Sequence, residues 1–174
     1  MAITVAAILM AIADPSFLYI TNSNRVSADV NGLLGDLQFA RAEAFKEGQP
    51  VTVCVSSNGT TCLGNSNAWQ SGWIVFSDPN GNATVDPGEG ILRVQKSLKS
   101  TDSFAATNAV TAVSFNREGF AQFAPAAANT LLQLHVTGSQ TNNNWTRCLS
   151  ITFLGLMGTQ QYNQPSTISG VNCT

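Results

Sequence analysis

The sequence predicts an α+β fold in which one long N-terminal helix packs on an antiparallel β-sheet or sandwich of six or seven strands. Two observations predict this fold. Helical periodicity is confined to the first part of the chain, and the remainder combines strand-like segments with turn-rich connectors. We therefore expect an apolar helical segment over 1–14, an amphipathic helix over 15–48 and a β-rich globular domain over 49–174.

The chain begins with an apolar run. Residues 2–13 carry no charge, and Thr4 is their only polar side chain. A bilayer-spanning helix needs roughly 20 apolar residues, so a run of about a dozen is typical of a buried core helix or of a spanning helix without its first residues. No Lys or Arg precedes Arg25, which disfavours a signal peptide. The residues that we assign to this apolar helical segment are Ala2, Ile3, Val5, Ile8, Leu9, Ile12 and Pro15.

A second helical segment follows Pro15. Its apolar side chains recur at alternating steps of four and three, which places them on one stripe of a helix. The segment KEGQP at 46–50 is a stop signal, since a basic residue is followed by a glycine cap and a proline. Asp36 and Arg41 lie off the stripe, where they can face water. The stripe consists of Val26, Val30, Leu33, Leu37, Ala40 and Ala44.

The rest of the chain is typical of strands and turns. Six segments alternate or are enriched in β-branched residues: VTVCVSS, GWIVFSD, ILRVQKSL, AVTAVSF, LLQLHVTG and CLSITFLG. Their connectors are rich in Asn, Gly, Ser and Pro, and NREG is predicted to be a hairpin turn.

Four cysteines indicate a disulfide framework. Cys54, Cys62, Cys148 and Cys173 include no CxxC pair, and the single histidine, His135, cannot complete a zinc site by itself. Disulfides indicate an oxidising compartment. Of the three connectivities, sequence order favours Cys54 with Cys62 and Cys148 with Cys173, because each pair brackets a loop between predicted strands.

Composition argues against catalysis and against broad nucleic-acid binding. Charged residues make up 10% of the chain and the formal net charge is -2, so no extended basic surface is expected. His135 lies in an alternating strand, and the sequence contains no GxSxG elbow, HExxH helix or phosphate-binding glycine loop. We therefore expect no enzymatic activity and no cofactor.

One loop has oxygen ligands at the offsets of an EF-hand calcium loop. They are Asp78, Asn80, Asn82, Thr84, Asp86 and Glu89. However, Ala83 stands where the sharp turn needs glycine, Pro79 and Pro87 interrupt the loop, and strands flank it. A capped β-hairpin loop is therefore favoured over a calcium site.

Three tryptophans are candidates for a ligand platform. Trp69 and Trp73 flank a strand entry, where aromatic residues usually anchor the core. Trp145 follows three asparagines and is the better candidate for a surface contact.

Several of these segments together resemble one protein family. The apolar run ending in a proline is followed by LLGDLQFARAEA, VTVCVSSNGTTC, WQSGWIVFSDPNGNATVDPGEGILR and SFNREGFA. This succession resembles the GspH/FimT/FimU family of minor type IV pilins and type II secretion pseudopilins. The resemblance covers essentially the whole chain and is most specific in DLQFARAEA and GWIVFSDPNGNATVDPGEGILR.

The resemblance also implies an identity for the apolar run. Family members begin, after leader cleavage, with a phenylalanine-led apolar segment that carries a glutamate at its fifth position. Their proline falls about seven residues further along than Pro15, and seven more residues would complete a span of roughly 20. Met1 is therefore expected to be an internal methionine, and 1–14 the remainder of a helix that lies in the inner membrane and then in the filament core.

The implied function is structural. The resemblance implies a minor pilin that takes part in priming type IV pilus assembly within a tip or initiation complex. Its partners would be other minor and major pilins, and the inner membrane before assembly, with the β domain in the periplasm. No small-molecule substrate is implied. A type II secretion minor pseudopilin stays open as an alternative, because it differs in the machine that it serves.

A DNA-receptor role is disfavoured. Some family members bind DNA through a GRxR motif in the C-terminal region. The best positional match here is Gly155-Leu156-Met157-Gly158, which has the first glycine and neither arginine. The guanidinium donors for phosphate contacts are therefore missing.

Overall fold

The structure, a computed structural model, describes residues 2–98, 102–127, 129–136, 145–164 and 172–173. Helix α1 spans Ala2–Glu47, and two short 3-10 helices span Trp69–Ser71 and Thr107–Ala109. The strands are β1 (Val51–Val55), β2 (Trp73–Ser77), β3 (Ile91–Gln95), β4 (Asp102–Ala106), β5 (Ala112–Phe115), β6 (Ala121–Ala124), β7 (Asn129–Val136), β8 (Arg147–Thr152) and β9 (Met157–Gln161).

The predicted architecture of a long helix on antiparallel β structure is confirmed, but the described residues contain nine strands rather than six or seven. The three additional strands, β4, β6 and β9, all lie at sheet edges. Their sequences, DSFAA, AQFA and MGTQQ, contain a single β-branched residue, Thr159. An edge strand pairs on one side only, and these present mainly small or polar side chains, so their pattern in the sequence is weak.

The strands form two antiparallel sheets. The five-stranded sheet has the order β3-β2-β1-β5-β6, and the four-stranded sheet has the order β4-β7-β8-β9. Both sheets contribute to one core beneath α1, because Val53 and Phe115 of the first sheet and Leu134 and Leu149 of the second belong to the same buried cluster as the helix stripe. The helix therefore packs against both sheets.

Helix α1 is one continuous element through Pro15 and ends where the sequence predicts. Gly48 adopts a φ of 70°, and its N–H donates to the Ala44 carbonyl at 3.0 Å, which is a left-handed helix cap. Among the described residues, no helical stretch is both long enough and apolar enough to cross a membrane.

Two disulfides lie on the sheet faces that point away from α1. Cys54 of β1 bonds to Cys62, with their Cα atoms 5.6 Å apart, and Cys148 of β8 bonds to Cys173 at 5.8 Å. The first packs with Ile74 and neighbouring residues, and the second with Leu131. These outer clusters are much smaller than the core under α1, so each disulfide fixes a chain segment where apolar packing is limited.

Candidate functional site

An apolar stripe and polar contacts, among them those of Arg25, Asp36 and Arg41, fix α1 to the two sheets. The stripe residues Val26, Val30, Leu33, Leu37, Ala40 and Ala44 are all buried. Burial of one leucine side chain stabilises a fold by about 1.5–3 kcal/mol, so the stripe is a large part of the helix-to-sheet attachment. The predicted apolar positions from Ala2 to Pro15 lie in the part of α1 that precedes this interface.

The first polar contact joins α1 to an edge of the four-stranded sheet. Arg25 Nη1 donates to Asp102 Oδ2, and Arg25 Nη2 donates to Asp102 Oδ1 at 3.1 Å. The Asp102 side chain is fully buried. A bidentate guanidinium contact satisfies a buried carboxylate that would otherwise be costly.

The second polar contact joins α1 to the five-stranded sheet. Asp36 accepts a hydrogen bond from Trp73 Nε1 at 2.8 Å and another from Arg93 Nη1 at 2.9 Å. The Arg93 guanidinium also lies 3.7 Å from the centre of the Phe39 ring, which adds a cation–π contact. Asp36 therefore faces the sheet rather than open water.

The third polar contact joins α1 to a turn of the four-stranded sheet and lies close to a turn of the five-stranded sheet. Arg41 Nη1 donates to the Gly155 carbonyl, in the β8–β9 turn, at 3.0 Å. A Cβ atom at Gly119, in the β5–β6 turn, would come within 2.9 Å of Arg41 Nε. The two turns are also joined directly, because Ala121 N–H donates to the Phe153 carbonyl at 2.8 Å. Arg41 thus lies between two turns that belong to different sheets.

This third contact occupies the position considered for a GRxR motif. Gly155 lies in the β8–β9 turn with a φ of 73°, and the guanidinium that it contacts is that of Arg41, donating to its carbonyl. The four-residue segment that begins at Gly155 supplies no guanidinium of its own. At this position an arginine of α1 therefore holds the β8–β9 turn by a hydrogen bond to its backbone.

The loop considered for calcium is closed by its own hydrogen bonds. Asp78 is buried and accepts from Thr52 Oγ1 at 2.7 Å, from Asn82 N–H at 3.1 Å and from Ala83 N–H at 3.0 Å. Asp86 accepts from the side-chain amides of Asn80 and Asn82 at 2.9 and 2.8 Å, and these bonds lower the pKa of the Asp86 carboxyl.

The rest of this loop follows the same arrangement. Glu89 Oε2 accepts from the Asp86 N–H at 2.8 Å, and Asn82 Oδ1 accepts from the Thr84 N–H at 2.8 Å. The carboxylates therefore accept from loop and strand donors, as in a capped hairpin loop. Within the described residues, no three His, Cys, Asp or Glu side chains converge as metal ligands.

The aromatic candidates lie mainly in the core. Trp69 is buried and its Nε1 donates to the Val110 carbonyl at 3.0 Å, and Trp73 is the buried partner of Asp36. Trp145 is half-buried. His135 belongs to β7 and is paired with Ser103 of β4, and its side chain lies outside the described part of the structure.

Sequence reasoning missed the polar residues that attach α1. Asp36 and Arg41 were expected to face water, and Arg25 and Asp102 carried no expectation. The sequence did contain a signal that Arg25 and Arg41 contact the sheets. Few residues of this chain are charged, yet two arginines lie on the helix that must pack on the sheets. Their partners could not be found, because Arg25 and Asp102 are separated by 77 residues and Arg41 and Gly155 by 114.

Comparison with known proteins identifies the family and the fold. The family model of type II transport protein GspH matches residues 29–155. No curated protein sequence matches the chain significantly.

Solved structures with the same fold include the type IV minor pilin FimU of Pseudomonas aeruginosa PAO1. In two crystal forms it gives TM-scores of 0.60 and 0.56 at 19% identity, covering 89% and 85% of this chain and 99% of FimU in each case. The minor pseudopilin EpsH from the type 2 secretion system of Vibrio cholerae gives 0.53 at 10% identity, covering 79% of this chain and 97% of EpsH. At these identities the likeness shows the fold alone.

Proposed function

We propose that this chain, which belongs to the GspH family of type II transport proteins, takes part in priming type IV pilus assembly as one minor pilin of a tip or initiation complex. The family is a structural one of pilins and pseudopilins, so the proposed role is non-catalytic. In this proposal the partners are other minor and major pilins.

The observation that carries the proposal is the attachment of α1. The half of the helix that follows residue 20 is fixed to both sheets by the buried stripe and by the contacts of Arg25, Asp36 and Arg41. The half that precedes it carries the apolar run 2–13. A helix with one half locked to a globular domain and an apolar half before it suits a subunit that is anchored by that half.

The proposed mechanism follows from burial. Before assembly the apolar half of α1 lies in the inner membrane, with the β domain in the periplasm. During assembly it packs among the helices of neighbouring subunits, where protein replaces lipid as the apolar surrounding. The rigid helix-to-sheet attachment then transmits the position of the helix to the β domain.

A type II secretion pseudopilin is the second candidate. The fold is shared with EpsH as well as with FimU, and the same physics of helix burial serves both machines. The two candidates differ in the assembly that depends on the protein.

Deletion of the gene in the source bacterium tests both candidates. Loss of piliation and twitching, restored by the full chain, supports the pilus role. Intact pili with loss of exoprotein secretion assigns the protein to the pseudopilus instead. A deletion strain that retains both pili and secretion overturns the proposed function.

A further inference from the structure

We propose that an exposed apolar surface at the C-terminal end of α1 docks a neighbouring pilin of the same filament. This surface, the distal patch, consists of Phe45, Phe120, Phe153, Leu154 and Leu156. The inference rests on the proposed function and goes beyond it by naming the surface and the chemistry of its partner.

The patch contains most of the large apolar side chains that are exposed beyond residue 19. Among the residues from 20 onwards whose burial the structure describes, eight large hydrophobic residues are exposed, and five of them belong to the distal patch. Phe45 is 76% exposed and Phe153 is 53% exposed. The other three, Ile20, Ile91 and Val94, lie on the first part of α1 and on edge strand β3. Contiguous apolar surface of this kind marks a contact with another protein or a membrane.

The three segments that form the patch are held in fixed positions. Arg41 bonds to the Gly155 carbonyl, and the Ala121–Phe153 backbone hydrogen bond joins the two turns. Gly119 and Gly155 approach so closely that a Cβ atom at Gly155 would lie 2.2 Å from the Gly119 carbonyl oxygen. The patch is therefore preformed, which reduces the entropy lost on docking.

A groove borders the patch at Phe45 and Leu156. It has a volume of about 690 Å³ and lies between the last turns of α1 and the two hairpin turns. Phe45, Leu156 and Met157 line it, with Gln38 and Glu118 at its polar side. A groove of this size has room for an apolar side chain of a partner beside Phe45 and Leu156.

Most charges beside the patch are already engaged. Lys46 Nζ pairs with Glu43 at 2.6 Å, and Arg117 Nε pairs with Glu118 at 2.8 Å. Arg41, which lines the groove, donates to the Gly155 carbonyl at 3.0 Å. Engaged charges beside an apolar surface complement an uncharged apolar protein surface better than nucleic-acid phosphates or an anionic lipid surface, which need several free cations.

The position of the patch selects the occupant. Helix α1 has 46 residues and a length of about 69 Å, and the patch lies at the end opposite the apolar run 2–13. If apolar halves pack side by side in a filament, the helices run parallel, and the end that carries the patch meets a different surface of the next subunit. That contact is heterologous and can repeat along a filament, whereas patch-to-patch pairing of two copies is isologous and closes on itself.

The test uses the full chain in the deletion strain. Leu156→Glu and Phe153→Glu each place a charge in the patch, and Val94→Glu is the matched control, because Val94 is 52% exposed on β3. We expect each patch variant to reduce surface filaments at least about tenfold while the control assembles normally, because a buried unpaired charge weakens an apolar contact. Subunit levels and intact disulfides on non-reducing gels show that each variant folds.

A photo-crosslinking amino acid at position 156 identifies the occupant independently of the charge variants. We expect a crosslink to another pilin, detected with antibodies to the major and minor pilins of the strain. Normal assembly of both glutamate variants overturns the inference, and so does a crosslink only to a second copy of this chain. If the deletion strain itself shows no defect in filaments or secretion, it is the proposed function that fails.

Discussion

Two turn regions of this protein, the loop over 78–89 and the distal patch, differ in how their side chains are used. The loop over 78–89, between β2 and β3, is rich in carboxylates and amides, and these accept hydrogen bonds from the loop itself and from Thr52. The distal patch is held by Arg41 and by backbone contacts between two turns, and its apolar side chains remain in contact with solvent.

The difference teaches which residues are available for a partner. In the loop, the ligand-like side chains are used to build the loop, so removing them should damage the fold. In the patch, the side chains contribute less to the fold, because partly exposed apolar groups gain only part of their burial energy in the isolated subunit. The carboxylates and amides of the loop, which resemble metal ligands, therefore hold the loop together. The distal patch, which we propose as the docking surface, consists of apolar side chains.

The largest effect should come from the buried carboxylate of the loop. Asp78→Ala should lower the free energy of unfolding by about 3 kcal/mol, because it leaves the buried Thr52 Oγ1 and the half-buried Ala83 N–H without this acceptor. Urea unfolding measures this loss. The control Asp86→Ala removes a carboxylate that is not fully buried and should cost clearly less than Asp78→Ala. Equal losses for the two variants would show that burial of Asp78 does not matter.

A glycine comparison between the two regions should give the next largest effect. Gly155→Ala forces a Cβ atom against the Gly119 carbonyl at a φ of 73°, and should cost about 2 kcal/mol or more. Gly81→Ala in the loop has a φ of 68° but open space around its Cβ, and should cost about 1 kcal/mol. Thermal unfolding of both variants separates steric contact from backbone strain. A smaller loss at Gly155 would contradict the close approach of the two turns.

Acid should weaken the loop through protonation of Asp86. Hydrogen bonds from Asn80 and Asn82 lower the pKa of Asp86 below its ordinary value of 3.8, so the stabilisation that they supply is present above that pH and is lost as pH falls through the lower, folded-state pKa. An NMR titration of the Asp86 carboxyl carbon measures this pKa. Asn82→Ala should return it towards 3.8, and an unchanged titration would show that the amide contact is absent in solution.

Calcium should have almost no effect on the loop. Millimolar calcium should produce no binding heat in calorimetry, because the carboxylates of the loop already accept hydrogen bonds from it. A saturable heat would reopen the calcium site.

Stability of the patch variants should be close to that of the parent. Leu156→Glu should change the free energy of unfolding by no more than about 0.5 kcal/mol, since Leu156 is exposed. Chemical denaturation measures this change. A large loss would show that the patch contributes to the fold, which would remove the contrast with the loop.

The edge strands show how far pattern alone reaches. The six predicted segments correspond to β1, β2, β3, β5, β7 and β8, where β-branched or alternating residues are frequent. Three of the four edge strands were missed because pairing on one side demands little of their side chains, whereas the edge strand β3 was predicted because ILRVQ contains two β-branched residues. The predicted NREG turn does lie between β5 and β6, with Gly119 at a φ of 82°.

Local sequence patterns in this chain are sufficient to predict the long helix, its end at Gly48, the stripe of apolar positions, the α+β class and the family. Each depends on residues within a few turns or on one contiguous segment. The folded chain alone decides the roles of Asp36 and Arg41, the closure of the loop and the assembly of the distal patch. These depend on contacts between distant residues, as between Arg41 and Gly155 across 114 positions, and side chains so far apart leave no shared period in the sequence.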